Sequence, residues 1–136
     1  MTASIINARF INPPAISQPN GYTHVVEVTG GKTVYISGQI AFDATGKVVG
    51  VGDLAAQTRQ VFTNLKAALE SVGADFSHIV KWTFFVRDMS QLPVIREIRN
   101  QYANPHHPPA STAIEVSRLA HPDLLIEIEA IAVIPA

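Results

Sequence analysis

The stretch that most constrains this chain is its last quarter, Pro109 to Ile134, which reads PASTAIEVSRL, then AHPD, then LLIEIEAIAVI. Both halves are rich in β-branched and aliphatic residues, and His121-Pro122-Asp123 between them carries the chemistry of a turn. The pattern predicts a β-hairpin. Along its second strand, alternation puts Leu124, Ile126, Ile128, Ala130 and Ala132 on one face, with Leu125, Glu127, Glu129, Ile131 and Val133 on the other. Two carboxylates therefore point the same way from a strand apolar enough to be central. A buried charge without a partner is costly and tends to neutralise, and Glu115 on the first strand poses the same question. Two readings stand side by side. The acids face solvent or pair with a nearby Lys or Arg; or their sheet face is a subunit contact around a polar cleft, with one acid kept to handle a proton or a water.

Composition narrows the choice. A chain of 136 residues suits one domain, spanning 1–136, and is short for two. Hydrophobic residues make up 47% and charged residues only 15%, more apolar surface than one small copy hides, which points to a homo-oligomer. The net charge is −1 and no block of like charge occurs, so nucleic acid is not an expected partner. The absence of cysteine excludes a disulfide framework, a thiolate metal site and a cysteine nucleophile. MTASIINARFINPPA lacks a signal pattern and no apolar run approaches about 18 residues, so the expectation is a cytoplasmic protein without a membrane segment.

In chain order, Ser4 to Ile11 reads as a first, edge-type strand stopped by Asn12-Pro13-Pro14. Pro19, Asn20 and Gly21 make a surface loop before Tyr22, which becomes a site candidate beside the commoner role of capping a core edge. His24 to Val28 and Lys32 to Ile40 are expected to pair through a Gly30-Gly31 turn. Gly38, after Ser37 and inside a strand, marks either a structural bulge or a close approach by a ligand. Ala41 to Gly52 reads as a turn and a short strand. Asp53 then caps a helix to about Val72, with Leu54, Val61, Phe62, Leu65, Ala68, Leu69 and Val72 as its apolar stripe and Gly73 as terminator. His78 to Arg87 is a strong strand whose mixed face, Lys81, Thr83, Phe85 and Arg87, is expected to join that of Glu127 and Glu129. Ser90 opens a second helix to about Tyr102, with Pro93 tolerable in its first turn, Val94, Ile95, Ile98 and Tyr102 facing inward, and Arg96 and Arg99 on its surface.

Asn104 to Pro109 is a stiff, extended return loop. The histidines are scattered and no set stands at ligand spacing, so no metal is expected; phosphate-loop, dinucleotide and Gly-x-Ser-x-Gly patterns are absent. The order of elements predicts an α+β layer arrangement, two helices against one mixed β-sheet of about six strands.

YISGQI (Tyr35 to Ile40), FFVRDMSQL (Phe84 to Leu92), PPASTAIEVSRL (Pro108 to Leu119) and IEIEAIAV (Ile126 to Val133) together resemble the Rid family, the YjgF-type reactive-intermediate deaminases. The resemblance covers nearly the whole chain. It implies a chorismate-mutase-like fold, assembled as a homotrimer with sheets inward, helices outside and clefts between subunits. It further implies hydrolysis of enamines and imines such as 2-aminoacrylate to a keto acid and ammonia, without metal or organic cofactor. Carried across residue by residue, the loop tyrosine resembles Tyr22, the Ser-Gly pair Ser37 and Gly38, and the glutamate that positions water Glu127. A helix position often occupied by asparagine corresponds to Arg96.

The arginine that clamps the substrate carboxylate in the best-known branch does not carry across, because Ser111 stands where that branch has it, followed by Thr112. A guanidinium grips a carboxylate at two points, each charge-assisted bond contributing about 1.5 to 3 kcal/mol, and a hydroxyl cannot match it. The expectation is therefore a poor 2-aminoacrylate deaminase, acting on a substrate without an α-carboxylate or with one held by Arg96 or Arg87. Ser111, Thr112, Ser37 and backbone amides would hold that substrate. The alternatives are a trimer that binds a small metabolite or a partner without turnover and, last, a ribonuclease, against which the near-neutral charge argues.

Overall fold

The structure is a computed structural model, and it describes residues 7–136. Of the expected first strand, the part before Asn7 lies outside those residues; the rest is β1, Asn7–Ile11, paired antiparallel with β2, Val25–Thr29. The remaining strands are β3 (Lys32–Ile40), β4 (Ile79–Val86), β5 (Ala110–Glu115) and β6 (Ile126–Ile134), joined in the order β3-β6-β4-β5. Two helices, α1 (Leu54–Glu70) and α2 (Leu92–Arg99), complete an α+β fold that has two α-helices and six strands among the described residues. Hydrogen bonding divides those strands into a mixed sheet of four and a ribbon of two.

Two expected pairings are corrected. Val25–Thr29 bonds to β1 and not to β3, which instead takes the edge beside β6. The closing hairpin does not form either: β4 lies between β5 and β6, parallel to the first and antiparallel to the second. A β4-α2-β5 crossover inserts a strand where the local sequence reads as a turn. The chain between Glu115 and Ile126 then steps across the end of β4, where Val116 N donates to Val86 O (2.8 Å) and Arg87 N to Leu125 O (3.1 Å).

The alternation read from β6 holds. Leu124, Ile126, Ile128, Ala130 and Ala132 are all buried, facing the side on which α1 packs across β3 and β6. Asp53 caps α1 by accepting from Ala56 N, and Val61, Phe62, Leu65 and Leu69 bury its stripe. Phe62 stacks on Tyr102 at 4.6 Å between ring centroids and meets Trp82 edge-on at 6.0 Å, which welds the helix layer to β4.

Smaller corrections concern the segments around the helices. Ala41 to Gly52 holds only an isolated bridge, Phe42 to Val48, because an Asp43-centred turn takes up the backbone donors of Thr45 and Lys47. The second helix begins at Leu92, after a short 3-10 turn over Met89–Gln91 capped by Asp88, and it ends at Arg99. Within it Ile95 and Ile98 are buried, whereas Val94 is exposed, its position lying outside the stripe that only two turns can present.

One buried polar residue fixes where β6 starts. Gln57 on α1 is wholly buried, donates to Gly50 O (3.0 Å) and Asp123 O (2.8 Å), and accepts from Leu125 N (2.8 Å). Its amide thus completes the backbone bonds of the loop that delivers Glu127, and leaving those groups unpaired would cost about 1 to 3 kcal/mol each.

Candidate active site

The sheet has one face under the helices and one open face, and the candidate residues divide between them. Glu127 sits between buried Ile126 and Ile128, so its side chain emerges on the open face, where β4 places Phe85 beside it and Thr83 beside Glu129. The mixed face of β4 joins the acids as the alternation predicts. Lys81 lies on the same face and donates to Thr112 Oγ1 at 2.7 Å, which brings Thr112 there from β5. Tyr35, 77% exposed, and Ser37 line an open-face hollow of about 280 Å³ with Lys81, Thr83 and Glu129.

Gly38 falls in a break of register between Ile36 and Gln39, so the bulge exists. The close approach exists as well. A Cβ on Gly38 would fall on Glu127 Oε2, so the carboxylate rests against the bulged backbone and only glycine leaves it that seat. Asn64 of α1 anchors the strand beyond the bulge, donating to Ile40 O and Phe42 O, each at 2.9 Å. Burial, and secondarily the charge of Glu129, push the Glu127 carboxyl above its ordinary value. Among the described residues the ion pairs are Arg9–Glu27, His78–Asp75 and His121–Asp123, and none includes Glu127. Glu115 serves the structure, since its Oε1 accepts from Met89 N (2.9 Å) at the turn leading into α2.

The other group lies on the opposite face. Ser111 pairs in register with Trp82, whose side chain is buried beneath the helices, so Ser111 points to the helix side while its neighbour Thr112 points away. It lines a cavity of about 140 Å³ with Tyr22, Arg96, Arg99 and Ile95. Tyr22 is brought there by Thr23, which is buried and ties the loop to the start of β5 through N–H to Pro109 O (3.2 Å) and Oγ1 to Pro108 O (2.6 Å). Tyr22 also meets His24 edge-on at 5.2 Å. Arg87 belongs to neither group; it lies at the strand end near Arg118 and Leu119.

Within one protomer, then, Glu127, Gly38, Ser37 and Thr112 share one side of the sheet, and Tyr22, Ser111 and Arg96 share the other. Arg99 is the lining residue that sequence reasoning places on the helix surface. Its spacing three after Arg96 is the available signal, but only the loop at Gly21 folding over it turns an exposed arginine into a half-buried one. Among the described residues no three His, Asp or Glu side chains gather as a metal site, and no helix is long and apolar enough to cross a membrane.

Comparison with known proteins places the chain in a family. A family model described as Endoribonuclease L-PSP matches residues 13–134. A 2-iminobutanoate/2-iminopropanoate deaminase of Salmonella typhimurium is 39% identical over 125 residues, covering 90% of this chain and 92% of that protein. One of the same name from Dermatophagoides farinae is 35% identical over 127 residues, 93% of this chain and 96% of its own. A crystal structure of a Rid-family protein of unknown function, YyfB of Yersinia pestis, superposes with a TM-score of 0.85 at 39% identity, covering 94% of this chain and 99% of the other. With the six-stranded α+β fold shared and the match running almost end to end, the chain belongs to the YjgF/Rid family.

Proposed function

We propose that this chain is a deaminase that hydrolyses a small imine or enamine metabolite in a cleft completed between copies of itself in a homotrimer, without metal or organic cofactor. The observation that carries this reading is Glu127, a carboxylate outside every ion pair among the described residues, seated on a glycine bulge and raised by burial above its ordinary value. A carboxyl raised above its ordinary value is a stronger proton acceptor, suited to take a proton from water and return it, as general acid–base work requires. Water adds its oxygen to the C=N carbon while Glu127 takes one water proton and gives it to nitrogen, forming a carbinolamine; Glu127 then takes the remaining hydroxyl proton and passes it to nitrogen as the C–N bond breaks, releasing ammonia and leaving C=O. An enamine reaches the same path after protonation at carbon.

The two sides of the sheet supply the parts: Glu127, Ser37, Gly38 and Thr112 from one copy, and Tyr22, Ser111 and Arg96 from its neighbour. The deaminases that this chain resembles support the reaction class. With Ser111 on β5, 2-aminoacrylate is turned over slowly relative to a family member carrying arginine there. Freshly generated imines from several amino acids, presented to the purified protein, test the reading; release of ammonia above the buffer rate is the expected result, and none for any imine would end it.

A second reading, a trimer that binds a small metabolite without turnover, draws on the same Ser111. Thermal-shift measurements with small carboxylates, ketones and amides separate the two, because a pure binder is stabilised and forms no product.

A further inference from the structure

Arg99 is half-buried, and no described residue lining its cavity carries a countercharge. Among the described residues its Nε and Nη2 donate to the neutral Asn100 Oδ1, at 3.3 and 2.9 Å. No ion pair among the described residues reaches it. The backbone of Gly21, with φ +79°, lies against the guanidinium so closely that a Cβ there would stand 2.5 Å from Nη2. Arg96 stands one turn away on the same wall, and both occupy the last turn of α2, where the helix dipole favours cations. Burial, and then the charge of Arg96, push the Arg99 guanidinium below its ordinary value. Two like charges thus line a small cavity whose other polar groups are the hydroxyls of Tyr22 and Ser111 and the amide of Asn20. Such a pair lacks only an anion, and most of the Arg99 donors are left for one.

We propose that Arg99, with Arg96 beside it, is the carboxylate seat of the substrate, supplied by the helix wall of the cleft and not by β5. The proposal rests on the deaminase reading for what happens at the other end of the molecule, and it names the substrate class: a small imino or enamino acid. Arg96 and Arg99 line the cavity from α2, while Ser111 lines it from the sheet. The seat therefore lies across the cavity from the place where a β5 cation would act. The acid that suits it carries its carboxylate some bonds away from the C=N carbon, a separation that 2-aminoacrylate lacks.

Calorimetric titration of the full-length protein with levulinate, a keto acid whose carboxylate is remote from the ketone, and with levulinamide tests this directly. The wild type should bind the acid and discriminate against the amide. Arg99→Gln should weaken acid binding by about ten- to a hundredfold, the scale of one charge-assisted bond, and leave the amide unchanged. Arg99→Lys, which keeps the charge but loses the planar fork, should fall between. Equal affinity of the wild type for acid and amide, no binding of the acid, tighter binding of pyruvate than of levulinate, or folded Arg99 variants that bind the acid like wild type would each overturn the seat. Should Arg99→Gln fail to fold, Arg99→Lys and the wild-type comparison still decide. Imine hydrolysis measured in parallel keeps the two ideas apart. Arg99-dependent acid binding without hydrolysis leaves the seat standing and removes the deaminase; hydrolysis indifferent to Arg99 and to substrate charge does the reverse.

Discussion

The two faces of the four-stranded sheet were built under different demands. Beneath the helices, Leu124 and every inward residue of β6 from Ile126 to Ala132 are buried and apolar, and their identity follows from packing. On the open face, the same strand carries Glu127 and Glu129, and the neighbouring strands add Tyr35, Lys81, Thr83 and Thr112. None of those residues belongs to the buried core of the protomer's described residues. A strand with one packed face is free to use the other for chemistry and association, and that is where the acid, the bulge and the exposed tyrosine collect.

Removing bulk from each face should expose the contrast most strongly. Ile128→Ala, which empties a fully buried site, should cost about 2 to 5 kcal/mol in urea unfolding, whereas Glu129→Ala should stay within about 0.5 kcal/mol. Comparable losses would mean that the open face is also core. Activity should divide the faces the other way. Glu127→Gln is expected to lower imine hydrolysis by about 10²- to 10⁴-fold while unfolding at neutral pH is unchanged or slightly harder; a fully active Glu127→Gln protein removes the proposed base.

Gly38→Ala is a milder version of the same cut. The new methyl displaces the Glu127 carboxylate and not the backbone around it, so a loss of about 10- to 10²-fold in rate with little change in stability is expected from misplacement alone. Rates equal to wild type would show that the seat on the glycine is incidental.

Legibility in the sequence follows the same division. The faces of β6 could be read because a strand buried on one side must alternate with period two, and the capped stripe of α1 could be read for the analogous helical reason. Pairing could not. Whether β5 lies beside β6 or one strand away is settled by the crossover through α2, a long-range event that leaves the His121-Pro122-Asp123 turn looking the same in either case. Glu127 was legible as an acid in an unusual place, and Ser111 as a departure at a motif. That they lie on opposite faces required the register with Trp82, and Arg99 required the loop at Gly21.

The smallest expected effect concerns pH. The Glu127 carboxyl is raised in the folded protein, so its contribution to stability is intact below the ordinary carboxyl value and is lost as pH rises through the raised one. Asp88, held down chiefly by the Ser90 hydroxyl, slopes the opposite way and loses its contribution as pH falls. Denaturant midpoints of wild type minus Glu127→Gln should therefore decline as pH is raised from acid toward neutral; a flat difference would place Glu127 in ordinary solvent. Hydrolysis, which needs the carboxylate, should rise over the same range.

The central claim is that opposite faces of neighbouring copies complete one site. Complementation measures it most directly: Glu127→Gln and Tyr22→Ala proteins, each inactive alone, are unfolded together, refolded as mixed oligomers and assayed for imine hydrolysis. If each site takes one group from each of two copies, random assembly restores about a quarter of the wild-type rate. No recovery, with mixed oligomers demonstrably formed, would mean that both groups act within one chain, and the account would be contradicted.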